Sequence, residues 1–306
     1  MRRLKTNLLA KLLRYFLVLA LLTSAPALSS YSQNPVASLK PLSFAVIGDS
    51  GTGKAGQFAI AQQMKKYRAQ YDYNVVLMLG DNIYPNGSAS NFKKKFELPY
   101  TDLLQDGVRF FASLGNHDVR SGLEAQLQYE KFNMSGRRYY SFTLGDDLIE
   151  FFALDSTLMN QAQLDWLEEK LKNSSTRWKV AFFHHPLYSS AKRHGSEMDI
   201  RKVLEPLFVR YQVNAVFSGH DHVYERIKPQ QGVQYFVQGA SGQLRKNGMQ
   251  KKSDLTAVSN DMTHSFLMVQ VKAAEMQVEA IGEDGAVIDR VTISQPAAKA
   301  SKAVAH

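Results

Sequence analysis

The chain has 306 residues, 44% of them hydrophobic and 21% charged, and no cysteine; it is long enough for one large globular domain and holds no disulfide framework. Its formal charge of +9 overstates the basicity of the folded part, because Arg2, Arg3, Lys5, Lys11 and Arg14 precede Ala27 with no acid among them, and taking those five away leaves +4. No basic patch interleaved with aromatics is visible, so nucleic acid is not an expected partner.

In chain order, residues 1–27 read as an export signal: a basic start, the apolar run Tyr15–Leu22, then Ala25-Pro26-Ala27 as a small-x-small cleavage site. That run is too short for a comfortable membrane span. The expectation is a periplasmic or secreted protein with no stable membrane anchor once the signal is cut. Residues 28–39 read as a linker, 40–293 as the folded domain, and 294–306 as a disordered basic tail. The stretch Ser43–Lys54, SFAVIGDSGTGK, invites a nucleotide-binding loop. Counted from Gly48 it lacks the G-x-x-x-x-G-K-[ST] spacing and the hydroxyl after the lysine, so that loop is not expected. Strands are expected at 44–48, 75–80, 110–115, 139–144, 149–154, 179–184 and 215–219, and helices at 56–67, 161–171 and 199–210. Asn160 is placed to cap the second helix, with Leu164, Leu167 and Leu171 on its apolar face. After Gly219 the pattern turns to strands alone, at 223–227, 234–241, 264–272, 276–282 and 286–294, with Glu283-Asp284-Gly285 as a hairpin turn. The whole reads as an α/β chain, one mixed sheet or a sandwich, βαβ first and antiparallel at its end.

Apolar runs end in Gly48-Asp49, in Gly80-Asp81, in Gly115-Asn116-His117-Asp118, at His184, and in Gly219-His220-Asp221-His222. Each gap between them is long enough for a strand–helix–strand crossover. The polar residues therefore fall at the carboxyl ends of strands, where open α/β sheets build their sites. Carboxylate, amide and imidazole converging from separate strands meet the requirements of a metal centre. One such block alone is an ordinary turn. Five in this order are a strong signal.

At these residues the chain resembles the calcineurin-like metallophosphoesterases, and among them the purple acid phosphatases. That pattern is GDxG, GDxxY, GNH[DE], a strand-end His in VxxH, and GHxH. Here it reads GDSG (48–51), GDNIY (80–84), GNHD (115–118), FFHH (182–185) and GHDH (219–222), within a likeness spanning roughly Ser43 to Gly242. Most metallophosphoesterases carry D-x-H in the first block. Gly51 stands at that third position, and purple acid phosphatases that lack the imidazole gain a tyrosine, which Tyr84 supplies.

The resemblance implies a four-layer α/β/β/α sandwich with mixed sheets and a binuclear centre. Asp49, Asp81, Tyr84 and His222 would hold Fe(III); Asp81, Asn116, His184 and His220 would hold a divalent Fe, Zn or Mn ion, with Asp81 shared. Free tyrosine ionises near pH ~10, so a tyrosinate ligand in acid needs a hard, highly charged cation. The implied activity is that of an acid phosphatase hydrolysing small phosphomonoesters by attack of metal-activated hydroxide. His117 and His194 are the candidates for protonating the leaving group, and Asp118 is expected to orient His117. His194 also reads as an exposed loop residue. Strand alternation puts His184 and His185 on opposite faces, and the family's H-x-P spacing before Pro186 selects His184 as the ligand. His264 reads as core or surface. Two rivals remain: a phosphodiesterase or nucleotide phosphohydrolase on the same site, and a catalytically silent metal- or phosphate-binding protein.

Overall fold

In the computed structural model, which describes residues 41–295, the first half of the chain alternates strands and helices. The order is β1 (Leu42–Ile47), α1 (Ala55–Tyr71), β2 (Val75–Met78), α2 (Thr101–Gln105), β3 (Arg109–Ala112), α3 (Leu123–Gln128), β4 (Tyr140–Leu144), β5 (Ile149–Ala153), α4 (Gln161–Asn173), β6 (Trp178–Phe183), α5 (Met198–Arg210) and β7 (Ala215–Ser218). Strands alone follow: β8 (Tyr224–Ile227), β9 (Gln234–Gln238), β10 (Thr256–Asn260), β11 (Ser265–Val271), β12 (Glu275–Gly282) and β13 (Val287–Ser294). The expected export signal and linker lie outside the described residues, as does the tail beyond Gln295. β13 runs through Ser294, and Gln295 N–H still donates to Ala274 O at 3.0 Å.

The strands form two sheets. One has six strands in the order β13-β12-β11-β1-β2-β3, the other seven in the order β10-β8-β9-β7-β6-β5-β4. β1, β2 and β3 run parallel, as do β5, β6, β7 and β9. β11, β12 and β13 add to β1 antiparallel. Both sheets are mixed, as the resemblance implies.

β1, β2, β6 and β7 are almost wholly buried, because each has both faces covered. In β6 the pleat sends Trp178, Val180 and Phe182 into the core shared by the two sheets. Ala181 and Phe183 instead meet Leu167 and Leu171 of α4 and Leu204 and Phe208 of α5. Phe44 of β1 meets Phe151 of β5 edge-on with centroids 5.0 Å apart, and Phe217 of β7 at 6.4 Å. α1 adds Ile60 and Met64 to the same core. Asn160 caps α4 as expected, its side chain accepting Gln163 N–H at 3.0 Å, a bond worth about 1 kcal/mol.

Three elements have no sequence signature. α2 and α3 are too short to show a helical period, and β10 is an edge strand whose residues alternate between half-buried and exposed. α1 also runs on past Tyr67 to Tyr71, ending where Asp72 takes a left-handed φ of 50°. Among the described residues no helix is long and apolar enough to cross a membrane.

Candidate metal centre

Five strand ends converge on one point. Asp49 follows β1, Asp81 and Tyr84 follow β2, and Asn116 and His117 follow β3, all from the six-stranded sheet; His184 follows β6, and His220 and His222 follow β7, from the seven-stranded one. The chain leaves the sheets sharply. Asp49, Asp81 and His220 take left-handed φ angles of 52°, 51° and 69°, a costly region for residues with a Cβ, kept where the surroundings over-determine it. Gly51 explains the missing imidazole of the first block. A Cβ there would lie 1.8 Å from the Asn82 carbonyl oxygen, while Gly51 O accepts Tyr84 N–H at 2.9 Å. The loop that brings Tyr84 in occupies the room a histidine at position 51 would need.

The donors fall into two groups. In the first, Tyr84 Oη donates to Asp49 Oδ1 at 2.9 Å and lies 3.2 Å from His222 Nε2, which is 3.3 Å from the same carboxylate oxygen. In the second, His184 Nε2 lies 3.1 Å from both Asn116 Oδ1 and His220 Nδ1. Asp81 stands between them: Oδ1 is 3.6 Å from His184 Nε2, and its carboxylate acts on the Tyr84 hydroxyl. His184 Nδ1 must carry its proton, since it donates to the Leu79 carbonyl at 2.9 Å, so Nε2 presents a lone pair to the centre.

This set fits two cations. Buried imidazole nitrogens and an amide oxygen crowded at one point are what a divalent transition metal takes, and two carboxylates with a phenol oxygen suit a harder ion. Burial pushes the Tyr84 phenol far up, with the Asp49 and Asp81 carboxylates adding to it, so a cation is needed to free its oxygen as a ligand. Burial also pushes the Asp49 carboxyl up, but His184, His222 and the Tyr84 hydroxyl together hold it below its usual value. The His220 imidazole is driven down by burial and then by His184, which keeps it neutral and able to coordinate.

His117 stands beside the centre rather than in it. Its backbone N–H donates to Asp81 Oδ1 at 2.8 Å, while its Nδ1 donates to Pro85 O at 2.6 Å. A carbonyl only accepts, so Nε2 is the free ring atom, 3.9 Å from Asp81 Oδ2 and 3.5 Å from the Arg120 guanidinium. Asp118, expected to orient His117, makes no hydrogen bond to the His117 ring. Its two oxygens accept the backbone N–H groups of Asn82, Ile83 and Gly115 and the side-chain amides of Asn82 and Gln126, at 2.7–3.1 Å. Asp118 fastens the β3 loop to the β2 loop, and so places His117 through the backbone. Burial, then the Asp81 charge, pushes its carboxyl up to about 7 against those donors.

His194 reaches the site, its ring 4.1 Å from that of His220 between centroids. His185 does not face away as strand alternation predicts, because β6 stops at Phe183 and the alternation stops with it. Its ring lies 4.9 Å from that of His184 and 4.5 Å from that of His220. Its Nδ1 meets Ser156 Oγ at 2.9 Å, and burial followed by His184 pushes the imidazole down to about 3. His264 pairs with Glu283 at 2.9 Å, far from this chemistry in role. One cavity of about 410 Å³ joins Asp81, Tyr84, Asn116, His220 and His222 to His117 and His194, and also to Arg120, Arg193 and Arg245. The arginines carry no motif and come from three separate loops, so the sequence offers no spacing that finds them.

The family model for calcineurin-like phosphoesterases matches residues 42–224, and the chain belongs to that family. Its relatives include purple acid phosphatase 4 of Arabidopsis thaliana, 31% identical with 77% of this chain and 78% of that protein covered. The tartrate-resistant acid phosphatase type 5 of Oryctolagus cuniculus is 26% identical, covering 69% and 76%. Within the family the chain is thus a metal-dependent phosphoesterase of the purple acid phosphatase type. Among solved structures, purple acid phosphatase PPD1 from yellow lupin seeds superposes with a TM-score of 0.71 at 19% identity, over 83% of this chain and 54% of that one. GAP50, described as the anchor in the inner membrane complex of Plasmodium, superposes at 0.74 with 20% identity, over 83% and 89%. At such identities the likeness concerns the fold alone, so activity has to be argued from the site.

Proposed function

We propose that the chain is an exported acid phosphatase that hydrolyses phosphomonoesters at a centre of Fe(III) and a divalent Fe, Zn or Mn ion. The observation that carries this reading is the Asp81 carboxylate standing between two donor groups, with His117 Nε2 on the same cavity. Asp49, Asp81, Tyr84 and His222 would hold the ferric ion, and Asp81, Asn116, His184 and His220 the divalent one. Bound metals supply Lewis-acid charge for the phosphoryl oxygens and acidify water for attack. The proton for the departing ester oxygen is the work of His117. With Nδ1–H fixed on Pro85 O, the ring gains and loses its second proton at Nε2, the atom on the cavity side. Asp118 keeps that ring in place by holding its loop, and His194 offers a second imidazole on the wall.

The test is turnover of a chromogenic aryl monoester against the matching diester by the metal-loaded protein, from acid to alkaline pH. The monoester should be preferred, with a maximum below neutrality, since the departing ester oxygen needs an acid that still holds its proton while metal-bound water is already acidified. Faster diester cleavage would move the reading to a phosphodiesterase. Bound metal without turnover of either would leave a silent binding protein. Export rests on the segment 1–27, and mass spectrometry of the secreted chain should find Leu28 first; an intact Met1 would remove that part of the reading.

A further inference from the structure

The three arginines of the cleft are neither metal ligands nor proton carriers. Several arginines elsewhere find acids, Arg138 with Asp155, Arg210 with Glu168, Arg226 with Asp289 and Arg290 with Glu279, while Arg109, Arg137 and Arg201 lie over aromatic rings and Arg177 donates to a backbone carbonyl. Among the described residues Arg120, Arg193 and Arg245 have no carboxylate within salt-bridge distance. The Arg120 guanidinium makes only long contacts there, to Pro85 O at 3.4 Å and toward His117 Nε2 at 3.5 Å. Yet all three line the cavity that holds the proposed metal ligands. Asp81, the carboxylate on the same cavity wall, is given to the proposed metals, so three like charges lining the rest of it repel one another, a cost that a bound anion lowers.

Each is set beside a site residue by backbone rather than by chance of rotamer. Arg120 follows His117 on the β3 loop, and Arg193 precedes His194. Arg245 N–H donates to His222 O at 2.9 Å. The loops of Arg193 and Arg245 are themselves joined. Lys192 N–H donates to Gly248 O at 2.8 Å, Lys192 Nζ to Asn247 O at 2.7 Å, and Ala191 bridges Met249. Both arginines also act on the His194 imidazole, which burial already lowers. They therefore form one wall, distinct from the metal ligands.

We propose that the cleft selects phosphomonoesters whose leaving group carries a second anion, a phosphoryl or carboxylate group, held by Arg193 and Arg245 with Arg120 beside His117. This rests on the phosphatase reading of the same site. One phosphoryl group is accounted for by the metals and His117, which leaves the guanidiniums for another. Their planar forks match carboxylate and phosphate in two-point contact, which an ammonium does not.

The experiment is kcat/KM on two matched pairs, fructose 6-phosphate against fructose 1,6-bisphosphate and glycerol 3-phosphate against 3-phosphoglycerate, with an aryl monoester alongside. For at least one pair the substrate with the extra anion should lead by about tenfold or more, the equivalent of about 1.4 kcal/mol, chiefly through KM. A lead in the first pair alone assigns the wall to a phosphoryl group, in the second alone to a carboxylate. The double variant Arg193→Ala/Arg245→Ala should bring that ratio close to one, and added salt should do so in part. Turnover of the aryl monoester with no lead in either pair overturns this inference and leaves the phosphatase reading standing. So does a double variant that slows both members of a pair by the same factor. No turnover of any monoester by metal-loaded protein overturns both.

Discussion

The two sheets contribute different chemistry to one site. The loops of the six-stranded sheet bring oxygens, from Asp49, Asp81, Tyr84 and Asn116; those of the seven-stranded sheet bring the imidazoles of His184, His220 and His222. Neither half is a site by itself. They are joined across the sandwich by His220 N–H donating to Asp49 Oδ2 at 2.8 Å, His184 Nδ1 to Leu79 O at 2.9 Å, and Ser241 N–H to Gly48 O at 3.2 Å. The apolar core of Phe44, Phe151 and Phe217 sets the distance between the halves. Packing between the sheets and geometry of the centre are thus the same variable, which is why a two-metal site can be built from residues so far apart in the chain.

The largest effect should come from the residue both donor groups share. Asp81→Asn keeps the shape but removes the charge between them. Metal content by atomic emission should fall for both ions, and turnover should drop to the level of the metal-stripped protein. A variant that keeps both metals and most of its activity would show that the halves need no common carboxylate.

Next comes a residue on the oxygen side that belongs to neither group. His117→Ala should retain both metals and lose about 10²–10⁴-fold in turnover of an alkyl phosphate, the usual worth of a general acid. Metal loss in this variant would make His117 a ligand or a scaffold residue. Unchanged turnover would make it a bystander.

A smaller effect, read in colour, tests the harder half alone. Tyr84→Phe removes the oxygen that meets Asp49 and His222 while leaving the ring, which packs 4.6 Å from the ring of His117. The fold should survive, the visible charge-transfer band of the iron-loaded protein should vanish, and iron should be held about 10–100-fold more weakly. An iron-loaded wild type without colour would remove tyrosinate from the centre, and with it the ferric assignment, but not the phosphoesterase fold.

How much of this two-sided site is legible in the sequence depends on how local each signal is. An apolar run ending in a polar residue, with a glycine between them in four of the five blocks, is written within a few positions, so all five strand ends can be read from the chain alone. Which sheet each strand joins cannot, because pairing of β1 with β11, or of β7 with β9, depends on chain far away. Asp118 is the clearest loss. Its neighbour in sequence is His117, but its partners are Asn82, Ile83, Gly115 and Gln126, and Gln126 sits on α3, a helix too short to announce itself. His185 is misplaced by the strand rule because the rule needs a strand that runs through His185, two residues past the end of β6 at Phe183. Tyr84 has no meaning in spacing alone. The family pattern marks it, and the clash at Gly51 supplies the physical reason.

The smallest effect on activity should come from a second join between the sheets, away from the metals. Asp289 of β13 accepts from Arg226 of β8 at 2.6 and 3.1 Å and from Tyr224 Oη at 2.7 Å, so one carboxylate ties an outer strand of the six-stranded sheet to the seven-stranded one. Burial pushes that carboxyl up, but Arg226 and then Tyr224 outweigh it and hold it below its usual value. A carboxylate with a lowered folded pKa stabilises the fold at every pH above its unfolded value of 3.8. The contribution disappears as pH falls through the folded value, where native and unfolded chains bind the same proton. Asp289→Asn should therefore cost about 1–2 kcal/mol near neutrality, for a charge-assisted fork that is partly reached by solvent. In urea melts the deficit against the wild type should shrink in strong acid. Metal content and kcat should hold, since the core and the His220–Asp49 bond still fix the halves where the chemistry is. If the variant instead loses metal in step with stability, the sandwich transmits strain along its whole length to the centre. If its deficit is the same in strong acid as at neutrality, the carboxylate charge has no part in holding the sheets together.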